Sequence, residues 1–227
     1  SFPVGHAQII DMNSHCDTLL VCLQDVRVWS EQNPRHAPIW ISFNLKDQAI
    51  PGLPDPELFT PEALNLLDEQ LRGALTTQLI QPADVQGLNW PTLAEARGKV
   101  LLILDEGGAK RDWYYNNWQT RPMFTNAPEG HPAAGVMIIN DPIEDFARIQ
   151  RLVKAGYLVR TRADAGTLEA RSNDTLRRDR AFASGAQAIS TDYYRAATHF
   201  GNDYRVAIDG GVRCNPVLLP QPCVVAH

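Results

Sequence analysis

An α/β fold built on a parallel sheet is the architecture this sequence predicts. Two stretches near the C-terminus carry that reading: residues 156–167, GYLVRTRADAGT, and residues 185–194, GAQAISTDYY. Each opens on a glycine, runs through strand-forming residues and ends on charged groups: Arg160, Arg162 and Asp164 in the first, Asp192 in the second. A helical stretch of about twenty residues lies between them. A strand, a crossover helix and a second strand favour parallel pairing, and polar groups at the carboxyl ends of such strands are where parallel α/β proteins build their sites.

The remaining elements follow in chain order. Residues 17–30 read as an amphipathic helix, with Leu19, Cys22, Leu23, Val26 and Trp29 on one face and Asp17 or Thr18 able to cap its start. Pro34 and Pro38 break that pattern, and IWISF at 39–43 reads as a buried strand ending at Asn44, Lys46 and Asp47. A proline-rich loop, PGLPDP, leads to a helix over 61–79, with Pro61 in its first turn and Leu64, Leu67, Leu71 and Leu75 in register. Strand-like runs at 99–104 and 133–139 end on Asp105 and Glu106, and on Asn140 and Asp141. Residues 143–155 form a helix with Phe146, Ile149, Leu152 and Val153 inward, the strand to Arg162 follows, and an Arg-rich helix around 174–183 precedes the last strand. Pattern alone leaves a closed barrel and an open sheet as equal alternatives.

Composition bounds the function. The chain has 227 residues, 44% of them hydrophobic and 21% charged, as in ordinary globular proteins. Its formal net charge of -5 argues against a nucleic-acid partner, which demands a basic face. No apolar run approaches the ~20 residues of a membrane span. The opening SFPVGHAQII reads like the middle of a domain. No GxGxxG follows any strand run, no HExxH occurs, and Ser190 lacks the nucleophile-elbow pattern, so a Rossmann cofactor, that zinc motif and a serine hydrolase are poor readings.

Four cysteines, Cys16, Cys22, Cys214 and Cys223, contain no CxxC pair. Two short disulfide loops in a secreted chain, Cys16–Cys22 and Cys214–Cys223, are the preferred reading; other connectivities and free buried thiols are the alternatives. Cys16 and Cys22 cannot both lie in one helix if bridged, because six residues rise ~9 Å there and a bridge needs Cα atoms within ~7 Å. Cys16 is therefore expected in the turn before the helix.

Basic residues close to carboxylates at strand ends suit an anionic, phosphate-like substrate, Arg as a bidentate fork and Lys as a point charge. Lys46, Arg160 and Arg162 are the candidates, against the alternative of a surface salt-bridge network. Alternation places Arg160 and Arg162 on one face of their strand. His6, in VGHAQII, sits at what reads as a strand end. The segment RDWYYNNW, with Trp113, Tyr114, Tyr115 and Trp118, reads as an aromatic loop that lines a sugar- or lipid-facing rim or fills a local core, the rim preferred.

Taken in order, CDTLLVCLQDVRVWSEQNPRHAPIWISFNLKD, RGKVLLILDE, YLVRTRADAGTLEARSND, AFASGAQAISTDYY and RCNPV resemble the secreted calcium-dependent phosphoinositide phospholipase C family of the phosphodiesterase TIM barrels. The resemblance spans nearly the whole chain, although ISTDYY is also similar to the last-strand motif of glycerophosphodiester phosphodiesterases. It implies one α/β domain over 1–227, a TIM (β/α) barrel without its first two strands, acting with Ca2+ on a phosphoinositide at a membrane surface. In that family the inositol 2-hydroxyl attacks phosphorus, one His is the base and a second His protonates the diacylglycerol oxygen. Position by position, His6 matches the leaving-group His, Asn44 stands where relatives carry a metal-binding Glu, and Lys46 matches a phosphate-contacting Lys. Arg162 and Asp164 match the substrate-facing strand, and Asp192 falls where a carboxylate orients the first His; Arg160, from its strand end, and Tyr115, from the aromatic segment, are further substrate-binding candidates. The first catalytic His and a Glu-x-Asp metal pair are expected before His6, so the 227 residues alone are expected to be inactive. A glycerophosphodiesterase and a non-catalytic headgroup-binding protein are the rival expectations.

Overall fold

Val100–Leu104 is apolar at all five positions, and all five side chains are buried, as a strand covered on both faces requires. The computed structural model describes residues 2–6, 8, 10–208 and 210–219. The chain divides into two compact units, Ser1–Ala134 and Gly135–His227.

In the first unit, α1 (Leu19–Gln32) is followed by β1 (Ile39–Phe43), α2 (Pro61–Leu75), β2 (Leu79–Ile80), α3 (Leu93–Ala96), β3 (Val100–Leu104), α4 (Gly108–Tyr115) and β4 (Phe124–Thr125). All pairings in this sheet are parallel. β1 runs along the full length of β3, from Ile39 opposite Val100 to Phe43 opposite Leu104. On the other edge of β3 two short strands share the ladder, β2 beside Val100 and Leu101 and β4 beside Ile103 and Leu104. The leucine register of α2 is realised: Leu64, Leu67, Leu71 and Leu75 are all buried in one cluster with Val100, Leu102 and Leu104. Thr18 caps α1, its hydroxyl accepting from the Val21 amide, and Thr60 caps α2 through Ala63 with Pro61 in the first turn.

The second unit holds β5 (Val136–Ile138), α5 (Phe146–Lys154), β6 (Leu158–Arg162), α6 (Leu168–Ser172), α7 (Leu176–Ala183) and β7 (Ala188–Ser190). Its three strands are parallel in the order β5-β6-β7. Ile149, Leu152 and Val153 of α5 are fully buried.

Several expectations are corrected. The helix predicted over 61–79 ends at Leu75, because Thr76 takes a positive φ of 44° and Leu79–Ile80 then joins the sheet. The twenty-residue helix splits in two at Asn173, whose left-handed conformation (φ 53°) stops α6, a conformation Asn tolerates better than most residues. Trp29 is 49% exposed and packs on His36 instead of facing the core. Residues 113–115 are helical, not loop, and Tyr114 is completely buried, so at that position the core reading prevails. The expected parallel α/β architecture is present, its strands forming two parallel sheets of four and three strands among the described residues. Among the described residues His6 does not lie in a strand: it falls in a bend after Pro3, which forms an antiparallel bridge to Thr18.

The Cys16–Cys22 disulfide forms across a Cα–Cα distance of 5.4 Å, with Cys16 in the turn ahead of α1 and Cys22 inside it. The expected Cys214–Cys223 bridge lies outside the described residues, as does Cys223 itself.

Candidate functional site at the carboxyl ends of the strands

β1 and β3 run side by side, so the residues that follow them emerge together. From β1 come Asn44, Leu45, Lys46 and Asp47, and from β3 come Asp105 and Glu106. Asn44 donates its amide N–H to the Asp105 carbonyl at 2.7 Å, and the Leu45 amide donates to Glu106 Oε1 at 2.5 Å. Lys110, from the first turn of α4, reaches back to the Leu45 carbonyl at 2.6 Å, Asp47 Oδ1 at 2.7 Å and Glu106 Oε2 at 3.3 Å. Burial would raise the Asp47 carboxyl, but hydrogen bonds from Lys110 and the Phe59 amide, with the Lys110 charge, outweigh it and hold Asp47 below its ordinary value. These groups border a cleft of about 490 Å³ with Asn44, Lys46 and Arg111 on its wall.

The N-terminal segment packs beside the same turn. Gln8 donates to the carbonyls of Lys46 (2.5 Å) and Glu57 (3.3 Å), joining this segment to both ends of the loop between β1 and α2. His6, Asn44 and Lys46 line a second cleft of about 530 Å³ floored by Leu19, Leu23, Val26 and Ile41. His6 is 80% exposed, and its Nδ1 lies 3.1 Å from Asp11 Oδ2. That contact leaves Nε2 directed away from the pair. Three of the predicted site residues are therefore brought together in one unit. Tyr115, also in this unit, is half-buried, its ring tilted against His131 at 4.5 Å between centroids and beneath Arg111.

In the second unit β6 alternates as predicted. Val159 and Thr161 are buried, whereas Arg160 is half-buried and Arg162 exposed on the opposite face. Arg160 donates to Asn140 Oδ1 at 2.6 Å at the end of β5. Asp164 is buried and used as a latch: Oδ2 accepts from the Thr191 hydroxyl at 2.5 Å and Oδ1 from the Asp192 amide at 3.0 Å. It thereby joins the segment after β6 to the segment after β7 and leaves the Asp192 side chain exposed. A second polar knot, which sequence reasoning missed, ties Arg177 to Asp141 (3.2 Å) and Glu169 (3.0 Å). Its signal was the run of arginines in α7, where spacing does not reveal which one turns inward.

A family model for calcium-dependent phosphoinositide phospholipase C matches residues 1–216. The chain belongs to that family. No curated protein sequence matches it. Among solved structures it is similar to the Ca2+-dependent phosphatidylinositol-specific phospholipase C of Streptomyces antibioticus. There the identity is 17%, with 80% of this chain and 72% of that one covered at a TM-score of 0.56, a likeness of fold. It is also similar to the calcium-dependent phosphoinositol-specific phospholipase C of a Pseudomonas species in its myoinositol complex, at 19% identity and a TM-score of 0.48. That match covers 63% of this chain, which spans 57% of the length of the Pseudomonas enzyme.

The family and these relatives are described as calcium-dependent. Calcium takes six to eight oxygen ligands, with carboxylates prominent. Among the described residues no group of three His, Cys, Asp or Glu side chains is placed to hold a metal ion. Around the turn after β1, three of the four carboxylate oxygens of Asp47 and Glu106 accept N–H donors of this chain, and the fourth, Glu106 Oε2, is ion-paired with Lys110 at 3.3 Å. Asn44 Oδ1 and the Asp105 carboxylate remain on the cleft wall, too few to hold calcium by themselves. The described residues do not fit the ion.

Proposed function

We propose that the intact protein cleaves the phosphodiester of phosphatidylinositol in the manner of phospholipase C, releasing diacylglycerol and an inositol phosphate, with residues of this chain on the leaving-group side of the site. Membership of the family supports the reaction class, and the observation that carries the residue assignment is the shared cleft of His6, Asn44 and Lys46. His6 is the proton donor to the diacylglycerol oxygen: the Asp11 carboxylate holds Nδ1, so the outward Nε2 delivers the proton. Lys46, exposed beside it, attracts the phosphate as a point charge. Arg162 and Arg160 are assigned to phosphate contact, Tyr115 to the substrate side and Asp192 to orienting the family's first His, while Asp164, expected on the substrate side, is assigned instead to holding the Thr191–Asp192 segment in place. Asn44 is assigned through its amide oxygen as the remnant of a metal position. The Cys16–Cys22 bridge supports an oxidising compartment outside the cytosol.

The test is product analysis on phosphatidylinositol, with calcium and with chelator. A cyclic or open inositol phosphate with diacylglycerol is expected, and His6→Ala should lower turnover by about 10²–10⁴-fold. Glycerol phosphate from glycerophosphodiesters would point to the related phosphodiesterase instead. Asn44 in place of an acidic residue favours one further reading, a headgroup-binding protein without turnover; binding of vesicles with no product and no effect of His6→Ala would establish it.

A further inference from the structure

The place where a divalent ion would be sought in the first unit, among the acidic residues beyond β1 and β3, is filled by a side chain of the protein. Three oxygens from three residues converge on Lys110 Nζ: the Leu45 carbonyl at 2.6 Å, Asp47 Oδ1 at 2.7 Å and Glu106 Oε2 at 3.3 Å. The ammonium donates two hydrogen bonds, to the Leu45 carbonyl and Asp47 Oδ1, and pairs by charge with Glu106 Oε2. The other carboxylate oxygens are satisfied by the Phe59 and Leu45 amides. All three side chains are largely withdrawn from water, at 20%, 13% and 14% exposure.

We propose that Lys110 is the resident cation of this turn, standing where a divalent ion would otherwise gather the same oxygens and presenting Lys46 to the cleft without metal. Leu45 is the link. Its N–H is held by Glu106 and its C=O by Lys110, its side chain is buried, and Asn44 and Lys46 flank it with their side chains on the cleft wall. Lys110 is thus a positioning residue for Lys46, a role that rests on the proposed phosphate contact of Lys46. The filling of the oxygen cluster by an ammonium stands independently of any reaction.

Melting of Lys110→Met and Lys110→Arg proteins, each in chelator and in millimolar CaCl2, tests the filling. In chelator Lys110→Met should melt about 5 °C or more below the parent, since a half-buried carboxylate pair loses its countercharge. Calcium should recover most of that deficit in Lys110→Met while shifting the parent far less. Lys110→Arg should keep more stability in chelator than Lys110→Met does. Equal calcium shifts in parent and Lys110→Met, or no deficit in chelator, would overturn the proposal. If Lys110→Met does not fold, the parent decides: a slowly exchanging ¹⁵N ammonium signal of Lys110, unchanged by calcium, is expected, and its loss on adding calcium refutes the assignment. In chelator, Lys110→Met should bind phosphatidylinositol vesicles more weakly than the parent, a readout of Lys46 presentation that needs no turnover. No vesicle binding by the parent would remove the Lys46 reading while leaving the calcium-recovery result to stand or fall alone.

Discussion

Replacing Tyr114 by Phe deletes one oxygen from the interior of the first unit and should cost about 2–3 kcal/mol at neutral pH. Tyr114 is fully buried; its hydroxyl donates to Asp68 Oδ1 at 2.6 Å and accepts the Met123 amide at 3.3 Å. The other Asp68 oxygen accepts from Arg121 at 3.0 Å, and the Arg121 guanidinium lies 4.9 Å from the Tyr114 ring centroid. Burial pushes the Asp68 carboxyl above its ordinary value, and the bonds from Tyr114 and Arg121 with the charges of Arg121 and Arg72 only partly offset it. A hydrogen bond to a charged group is worth about 1.5–3 kcal/mol, and the longer Met123 contact adds little. The sign with pH follows from the raised value. The folded state holds the Asp68 proton to higher pH than the unfolded chain, so this group favours folding in acid and loses that contribution as pH rises through the folded value. Without the Tyr114 donor the folded value rises further, so the loss should be larger at pH 7.5 than at pH 4.5. Urea titration followed by tryptophan fluorescence measures it in the right place, because Trp29, Trp40, Trp90, Trp113 and Trp118 all precede residue 135. A loss under about 0.5 kcal/mol, or one of equal size at both pH values, would refute the argument.

Other outcomes follow from single contacts. Gly98→Ala should destabilise by more than about 1 kcal/mol, since φ is +74° and the new Cβ would lie 2.8 Å from the Pro34 carbonyl oxygen; a chemical-denaturation midpoint reads it. Removing Cys16–Cys22 should lower stability by about 2 kcal/mol, the chain-entropy value for so short a loop, seen as a lower Tm of a Cys16→Ser/Cys22→Ser protein than of the parent, both without reductant. Asp141 is held below its ordinary value: burial raises it, but the Ile143 and Glu144 amides and Arg177 outweigh that. Its contribution is therefore present above the ordinary carboxylate value and lost as pH falls through the folded value, so Asp141→Asn should flatten the acid limb of the stability profile at a cost of about 1 kcal/mol near pH 7.

Much of the framework was legible because burial imposes a period. The leucines of α2 recur at helical spacing and all meet β3, and IWISF and VLLIL read as strands because they are short apolar runs bounded by charge. The turn position of Cys16 followed from helix rise alone. The two-residue strands β2 and β4 were illegible, since pairing with a half-length of β3 leaves no period to detect. So was α4: an aromatic, charged sequence has no strong helical stripe, and Tyr114 enters the core only because Asp68 and Met123 are there to satisfy its hydroxyl.

Residue types and their order determined that this chain makes parallel β/α units, places Asn44 and Lys46 after one strand and Arg160 and Arg162 on one face of another, and belongs with phosphoinositide-cleaving phospholipases. Tertiary structure decided which charges remain available. Lys110 and Glu106 lie more than fifty residues from Leu45 and Asp47, yet β1 and β3 run in register, and that pairing closes one set of carboxylates around an ammonium. The same kind of closure turns Asp164 into a latch and leaves Lys46 and Arg162 exposed. A charge is consumed or spared by partners distant in sequence, and only the folded chain brings those partners within hydrogen-bond reach.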